Sequence, residues 1–291
     1  MINPNEKKLI SQIIKYSILV IFSIYFLIPI YILLVTAFKT YKEVNINSMW
    51  IPSLNLSLKP FIKALDKLLP NFLNSIIVAV PATILSAFIG SLNGYLLSKW
   101  KFKGANIIFV IILFGIFIPY QSVLIPLVQI INSVIISIKD IFGISRIPGA
   151  FRLIALIIVH VIYGIPITTL IFRNYYAEIP DEILEASFID GCGMISSYFR
   201  ILLPISILGY IVVIIWQFTS IWNEFLFAVT IVTNTKYQPI TVALQNLAGS
   251  QIVEWNVQMA GAFLTAIPTL IIYILLGRYF IKGLLAGSVK G

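Results

Sequence analysis

Charge is what this sequence has least of: 11% of its 291 residues are Asp, Glu, Lys or Arg, where a soluble domain carries about 25%. That shortage excludes a water-soluble globule, and a hydrophobic content of 59% places the chain among membrane proteins. Cysteine occurs once, at Cys192, so there is no internal disulfide and no cysteine-based metal cluster. Histidine also occurs once, at His160, with no carboxylate or second histidine within a helical turn along the chain. A buried, hydrogen-bonded imidazole is therefore favoured over a ligand. No Gly-x-x-x-x-Gly-Lys-Ser/Thr phosphate loop is present, so any nucleotide-driven step must use another chain's ATPase. The formal net charge of +9 is scattered over loops, with no basic stripe and no nucleic-acid motif. Contact with membrane lipid is expected, and nucleic acid is not.

What charge there is lies between long uncharged windows. These are Tyr16–Phe38, Phe72–Ser98, Gly104–Ile138, Leu153–Phe172, Ile201–Asn223 and Trp255–Gly277, and each reaches the roughly 20 residues that span a bilayer. The pattern predicts an all-α polytopic membrane protein with six transmembrane helices. Lys7, Lys8 and Lys15 precede the first window as in a signal peptide, but its length and the lack of a small-residue cleavage site favour a retained signal anchor. Gly104–Ile138 is too long for one crossing and too short for two, so its later part is expected at the outer surface or re-entering, with Pro119 and Pro126 as break points. With six spans, both termini are expected in the cytosol of a plasma-membrane protein. Lys and Arg then divide 11 inside to 9 outside, and the tight loop of Lys99, Lys101 and Lys103 is the best-placed indicator of that orientation.

This reading divides the chain into residues 1–70 (tail, first helix and external loop), a core of five spans at 71–282, and a cytosolic tail at 283–291. Prolines inside the windows (Pro29, Pro81, Pro166, Pro268) are tolerated where neighbours satisfy the freed carbonyls. Small residues such as Ala79, Ala82, Gly90, Gly94 and Gly261 permit close helix contact.

One loop carries a sharper pattern. Between the fourth and fifth windows, Glu178–Pro204 reads as two short helices on the cytosolic side, at about residues 177–203. Pro180 suits the first helical position, and Asp181 and Glu182 complement the helix dipole. Gly191 and Gly193 can adopt positive φ and stop that helix, Met194–Arg200 can form the second, and Pro204 opens the fifth span. Small Ala186 and Ser187 beside apolar Ile183, Leu184 and Phe188 suit a groove on another protein. They equally suit an amphipathic connector lying on the membrane, and helix physics alone leaves both readings open.

The spacing Glu185-Ala186-Ser187, three residues, Gly191, nine residues, Ile201, one residue, Leu203-Pro204 resembles the signature loop of binding-protein-dependent ABC importer permeases. The one departure is Ser187, where the family pattern has a second Ala. Trp222–Ala228 (Trp-Asn-Glu-Phe-Leu-Phe-Ala), the ending Arg278–Gly291 and Asn74-Ser75 are similar to blocks of the carbohydrate-uptake branch, which includes the second permease subunit of the maltose importer. The resemblance covers nearly the whole chain. It implies a type I ABC importer permease fold with a coupling helix, and a transport subunit rather than an enzyme. The partners it implies are a second permease subunit, two ATPase subunits that bind the ATP and Mg, and an extracellular or periplasmic sugar-binding protein. Glu185, Ala186, Ser187, Asp190 and Gly191 would couple to the ATPase, and Ile201, Leu203 and Pro204 would hold the loop against the fifth span. The region Ile130–Pro148 is long for the family, which bears on how the external protein docks.

Six polar residues in or beside the windows are candidates for a substrate pathway: Asn93, Tyr120, Gln121, Gln217, Asn223 and Glu224. Glu224 is the carboxylate best placed to reach membrane depth, with a structural hydrogen-bond acceptor at the outer rim as the favoured alternative. A secondary transporter would call for paired intramembrane ions or an inverted repeat, and a membrane enzyme for a cluster of reactive side chains. Neither is visible. A permease of the same family for another solute, such as a glycerol phosphate, is the nearest rival.

Overall fold

The structure, a computed structural model, describes residues 4–100, 102–143, 149–249 and 253–286. Long apolar runs must close their backbone hydrogen bonds within each segment, and every regular element among the described residues is helical. The helices are α1 (Pro4–Ala37), α2 (Lys59–Lys99), α3 (Ala105–Phe117), α4 (Tyr120–Phe142), α5 (Phe151–Ala177), α6 (Asp181–Ile189) and α7 (Met194–Ser197). A π turn (Tyr198–Leu202) leads into α8 (Leu203–Ile205), followed by α9 (Ile207–Trp222), α10 (Leu226–Ile231), α11 (Ile240–Ala248) and α12 (Trp255–Ala286). Among the described residues, five helices are long and apolar enough to cross a membrane. A sixth span is completed if Met194–Ile205 and Ile207–Trp222, which meet at 76°, form one broken crossing.

The chain divides into two compact units, Met1–Leu68 with Leu244–Ala266, and Leu69–Ala243 with Ile267–Gly291. In the first unit, Ala37, Ala64, Val257 and Ala260 form a small core, where alanines let the helices approach closely. Phe61 packs on Phe38 at 4.8 Å and edge-on to Phe263 at 6.1 Å. Asn256 Nδ2 donates to the Lys39 carbonyl at 3.0 Å, and Lys63 pairs with Glu254. By contrast, the side chains of α1 are exposed almost without interruption from Lys8 to Tyr31, a bare apolar rod suited to lipid or another subunit.

In the second unit, α2 and α5 cross at van der Waals contact. A Cβ added at Gly90 would stand 2.2 Å from Thr168 Oγ1, and one at Gly94 would stand 2.7 Å from the Arg173 backbone nitrogen. The Thr168 hydroxyl donates to the Ser86 carbonyl at 3.0 Å across the same seam. At one end of the unit, the amides of Asn71 and Asn74 donate to the Gln238 carbonyl, and Ser75 Oγ accepts the Ile240 N–H at 2.8 Å. At the other end, Lys99 donates to the Ile179 carbonyl and pairs with Asp181 at 2.7 Å. The Lys99 end of α2 and the start of α6 therefore share one end of the bundle. Lys101, singled out with Lys99 and Lys103, lies outside the described residues, as do the last five positions of the C-terminal block and 144–148 of the long region before α5.

The third window departs from a single helix. It breaks at Ile118-Pro119, both extended, because a residue before proline is pushed out of the helical region. Pro126, expected as a second break, sits within α4 without ending it. The two pieces run antiparallel to α5: Arg173 meets Asn106, Pro166 meets Gly115, and Arg152 meets Asn132. From Arg152 to Arg173 is about 31 Å of helix at about 1.5 Å per residue, one bilayer core. The window thus runs the length of one bilayer core beside α5 by Asn132, and the rest of α4 continues past the level of Arg152.

The fifth window also departs from expectation. Pro204 does not open the long helix. It lies in the short α8, and α9 starts at Ile207 beyond the 76° bend.

If the α2–α5 seam is as close as this geometry shows, Gly90→Ala will lower the stability of the purified complex by about 1–3 kcal/mol through overpacking. Gly277→Ala, where nothing lies within 4 Å, will leave it unchanged or raise it. Thermal unfolding in detergent compares the two, and equal midpoints would contradict the seam.

Candidate functional site: the coupling loop and a polar cavity

The sequence of α6 closes its own C-terminus. Gly191 takes φ +82°, its N–H donates to the Phe188 carbonyl at 3.0 Å, and the Cys192 N–H donates to the Ser187 carbonyl at 2.9 Å. This pair of bonds is a Schellman closure, and its left-handed position favours glycine. Gly193, by contrast, has φ −82° and caps α7 in extended form, so one glycine rather than two turns the chain. Pro180 is the cap before α6 rather than its first residue, and the second helix is shorter than expected, passing at Tyr198 into the π turn.

Glu185, Ala186 and Asp190 face outward on α6, together with Ile189 at 87% exposure. Ser187 does not join them. It is 3% exposed, its hydroxyl donates to the Leu184 carbonyl at 2.7 Å, and it pairs with the Ser197 hydroxyl at 2.9 Å. The residue that departs from the family pattern thus faces inward and ties α6 to α7. Ile201 and Leu203 are partly buried, with Leu203 packed on the core beneath the loop, while Pro204 is exposed.

That core carries a chain of hydroxyls. Tyr198 donates to Ser91 Oγ at 2.9 Å and is 3.0 Å from the Tyr210 hydroxyl. Ser91 Oγ is 2.5 Å from the Tyr176 hydroxyl, which lies 3.2 Å from Ser206 Oγ. Ser91, Tyr176, Tyr198 and Ser206 are each at most 1% exposed, where an unpaired hydroxyl would cost about 1–3 kcal/mol. The chain binds α2, α5, the π turn, the bend and α9 at one point. Tyr95 stacks on Tyr198 at 5.5 Å and donates to the Met194 carbonyl at 3.1 Å. Sequence reading missed these residues because buried serines and tyrosines carry no spacing that separates them from ordinary helix packing.

A second feature is a cavity of about 440 Å³ that gathers Tyr120, Gln217, Asn223 and Glu224 with His160, Tyr163, Trp216 and Phe227. Asn93 lies elsewhere, donating to Thr169 Oγ1 at 3.3 Å, and Gln121 is an exposed neighbour of Tyr120 outside the lining. Glu224 accepts the N–H groups of Phe227 at 2.7 Å and Ala228 at 3.2 Å, so the carboxylate complements the positive end of α10. His160 Nε2 is 3.9 Å from Glu224 Oε2, a proximity across 64 residues of chain that no local spacing announces. Five aromatic rings (Tyr120, Tyr163, Trp216, Phe225 and Phe227) and several hydrogen-bonding groups meet here, and the lining contains no Lys or Arg among the described residues. The described residues hold no cluster of His, Cys, Asp and Glu able to take a metal.

Residues 86–285 match the family of binding-protein-dependent transport system inner membrane components. The chain is similar to a probable ABC transporter permease of Pyrococcus horikoshii, 49% identical over 62% of this chain and 61% of that protein. It is also similar to the xylose/arabinose import permease of Haloferax volcanii, 36% identical over 94% of this chain and 92% of that protein. Among solved structures, a chain of a bacterial ABC transporter involved in the import of the acidic polysaccharide alginate matches with a TM-score of 0.67. Its identity is 17%, covering 96% of this chain and 99% of that one.

With Cys192 replaced by Ser, a cysteine at Ala186 is expected to react with a soluble maleimide at least tenfold faster than one at Ser187, because only the first faces water. Equal rates would remove the inward placement of Ser187.

Proposed function

The chain belongs to the family of binding-protein-dependent transport system inner membrane components, and from that premise we propose that it forms half of the translocation pathway of an ATP-driven sugar importer. The partners in this reading are a second permease subunit, two ATPase subunits and an external sugar-binding protein. The observation that carries the proposal is the anchored loop: α6 presents Glu185, Ala186 and Asp190 outward, while the hydroxyl chain at Tyr198 fastens its base to three long helices. A displacement of α6 by a closing ATPase reaches α2, α5 and α9 together, because buried hydrogen bonds resist shear where hydroxyls have no water to exchange with. ATP and Mg reside on the ATPase, and this chain receives its motion.

Sugar as the cargo draws on the pentose-importing relative and on the carbohydrate-type blocks at Trp222–Ala228 and Arg278–Gly291. The cavity supports it as well. Aromatic faces and neutral donors suit a polyhydroxyl solute, whereas a carboxylate without any basic residue opposes a glycerol phosphate. The substrate-pathway residues this reading puts first are Tyr120, Gln217, Asn223 and Glu224, which share the cavity lining. Lys99, Arg173 and α6 share one end of the second unit, and Phe280 near the end of α12 lines a cavity there with Tyr175 and Glu178. That gathering supports a cytosolic loop and a cytosolic C-terminus.

Glu185→Lys and Gly191→Pro are expected to cut ATP-dependent uptake by reconstituted importer more than tenfold while the external binding protein still captures its sugar. Radiolabelled uptake in vesicles, run beside equilibrium binding to the isolated binding protein, separates the two steps. Wild-type uptake in either variant would refute the coupling role.

A further inference from the structure

At the loop end of the second unit, a cavity of about 400 Å³ opens between the ends of α2 and α5 and the start of α3. Arg173 is its charged wall. The guanidinium lies over the Phe109 ring at 4.0 Å, and its Nη2 reaches the neutral Asn106 Oδ1 at 3.3 Å. Its Nε–H is buried without an acceptor, and no carboxylate lines the cavity among the described residues. Of the acids at this end, Asp181 pairs with Lys99, and Glu178 lines a different cavity with Tyr175. A half-buried cation without a counter-charge among the described residues is costly, and exposed Lys103 stands in sequence between Phe102 and Gly104 of the lining.

Leu97, Phe102 and Ile107 give the cavity an apolar side, with Ser98 and Trp100 also in the wall. From Ile107 an exposed stripe continues along α3 through Val110, Ile111 and Phe114, the i, i+3, i+4, i+7 spacing of one helix face. A phosphate against Arg173 would thus have room for hydrocarbon running directly away from it along the helix. Basic cavities between spans at the cytosolic boundary suit lipid headgroups on these grounds.

We infer that this cavity binds the phosphate of an anionic phospholipid, with Arg173 as the anchoring charge and the exposed face of α3 as the seat of an acyl chain. The site lies apart from both the coupling face of α6 and the polar cavity, so it stands or fails independently of the sugar assignment.

The test is native mass spectrometry of the assembled importer released from vesicles of equal parts phosphatidylglycerol and phosphatidylcholine. Wild type should retain phosphatidylglycerol preferentially, and Arg173→Gln should lower that retention roughly fivefold or more, the worth of one basic residue at a membrane surface. Ser98→Glu, which sets a carboxylate in the cavity, should do the same and serves if Arg173→Gln fails to assemble. Equal retention of both lipids by wild type, or unchanged phosphatidylglycerol in an assembled variant, would overturn the site. Displacement of the retained lipid by millimolar inorganic phosphate would reassign the cavity to free phosphate and overturn the lipid. A crosslink from position 173 to an acidic residue of a neighbouring chain would also overturn it, by supplying the missing counter-charge.

Discussion

A helix that enters a membrane at 76° to the segment before it must break its own hydrogen-bond ladder at the bend, and the groups set free there have little water to turn to. Around Tyr198–Ser206 the chain meets this demand with a π turn and with side-chain hydroxyls. Ser206 Oγ donates back to the Leu203 carbonyl at 3.0 Å, and the same serine lies beside Tyr176, at the end of the row that runs through Ser91 to Tyr198. The bend is therefore fastened where it is weakest, and α6 is built on that fastening. Without it, α6 would be a loosely attached surface helix whose movement the spans would not follow.

The two functional features lie at opposite ends of the same frame. The polar cavity uses the middle of α5, the C-terminal half of α9 and the capped start of α10, while the loop uses the C-terminal ends of α2 and α5 and the start of α9. Gln217 of the cavity lining holds α9 to α5, its amide 3.5 Å from the His160 carbonyl and packed against Gly164. Two of the helices tied to the loop, α5 and α9, are thus also walls of the cavity, and that shared ownership makes a transport role physically coherent.

Much of this was legible in the sequence, for reasons that can be named. Uncharged windows mark spans because a charge at mid-bilayer is expensive, and the Glu185–Pro204 spacing marks the loop because it fixes a helix, a glycine turn and a return to the membrane. What escaped has equally definite causes. Pro119 and Pro126 look alike in a list of residues, yet only the residue before Pro119 gives up helical backbone, a choice made by the path of the chain beside α5. Ser187 is small enough for either face of a nine-residue helix, and its inward turn is decided by Ser197 ten residues on. The approach of His160 to Glu224 depends on how two spans cross, which no local pattern encodes.

The glycines of the α2–α5 crossing bear on kinematics. With backbone set against side chain at Gly90 and Gly94, and with Gly164 pressed against Gln217 and Ser86, α2, α5 and α9 have no free path for sliding past one another. Contacts this close favour movement of the three helices together over movement of one against another. Opening and closing of a pathway walled by these helices is then favoured as rotation of the three together, with the moving seams lying along surfaces that other helices or other chains provide.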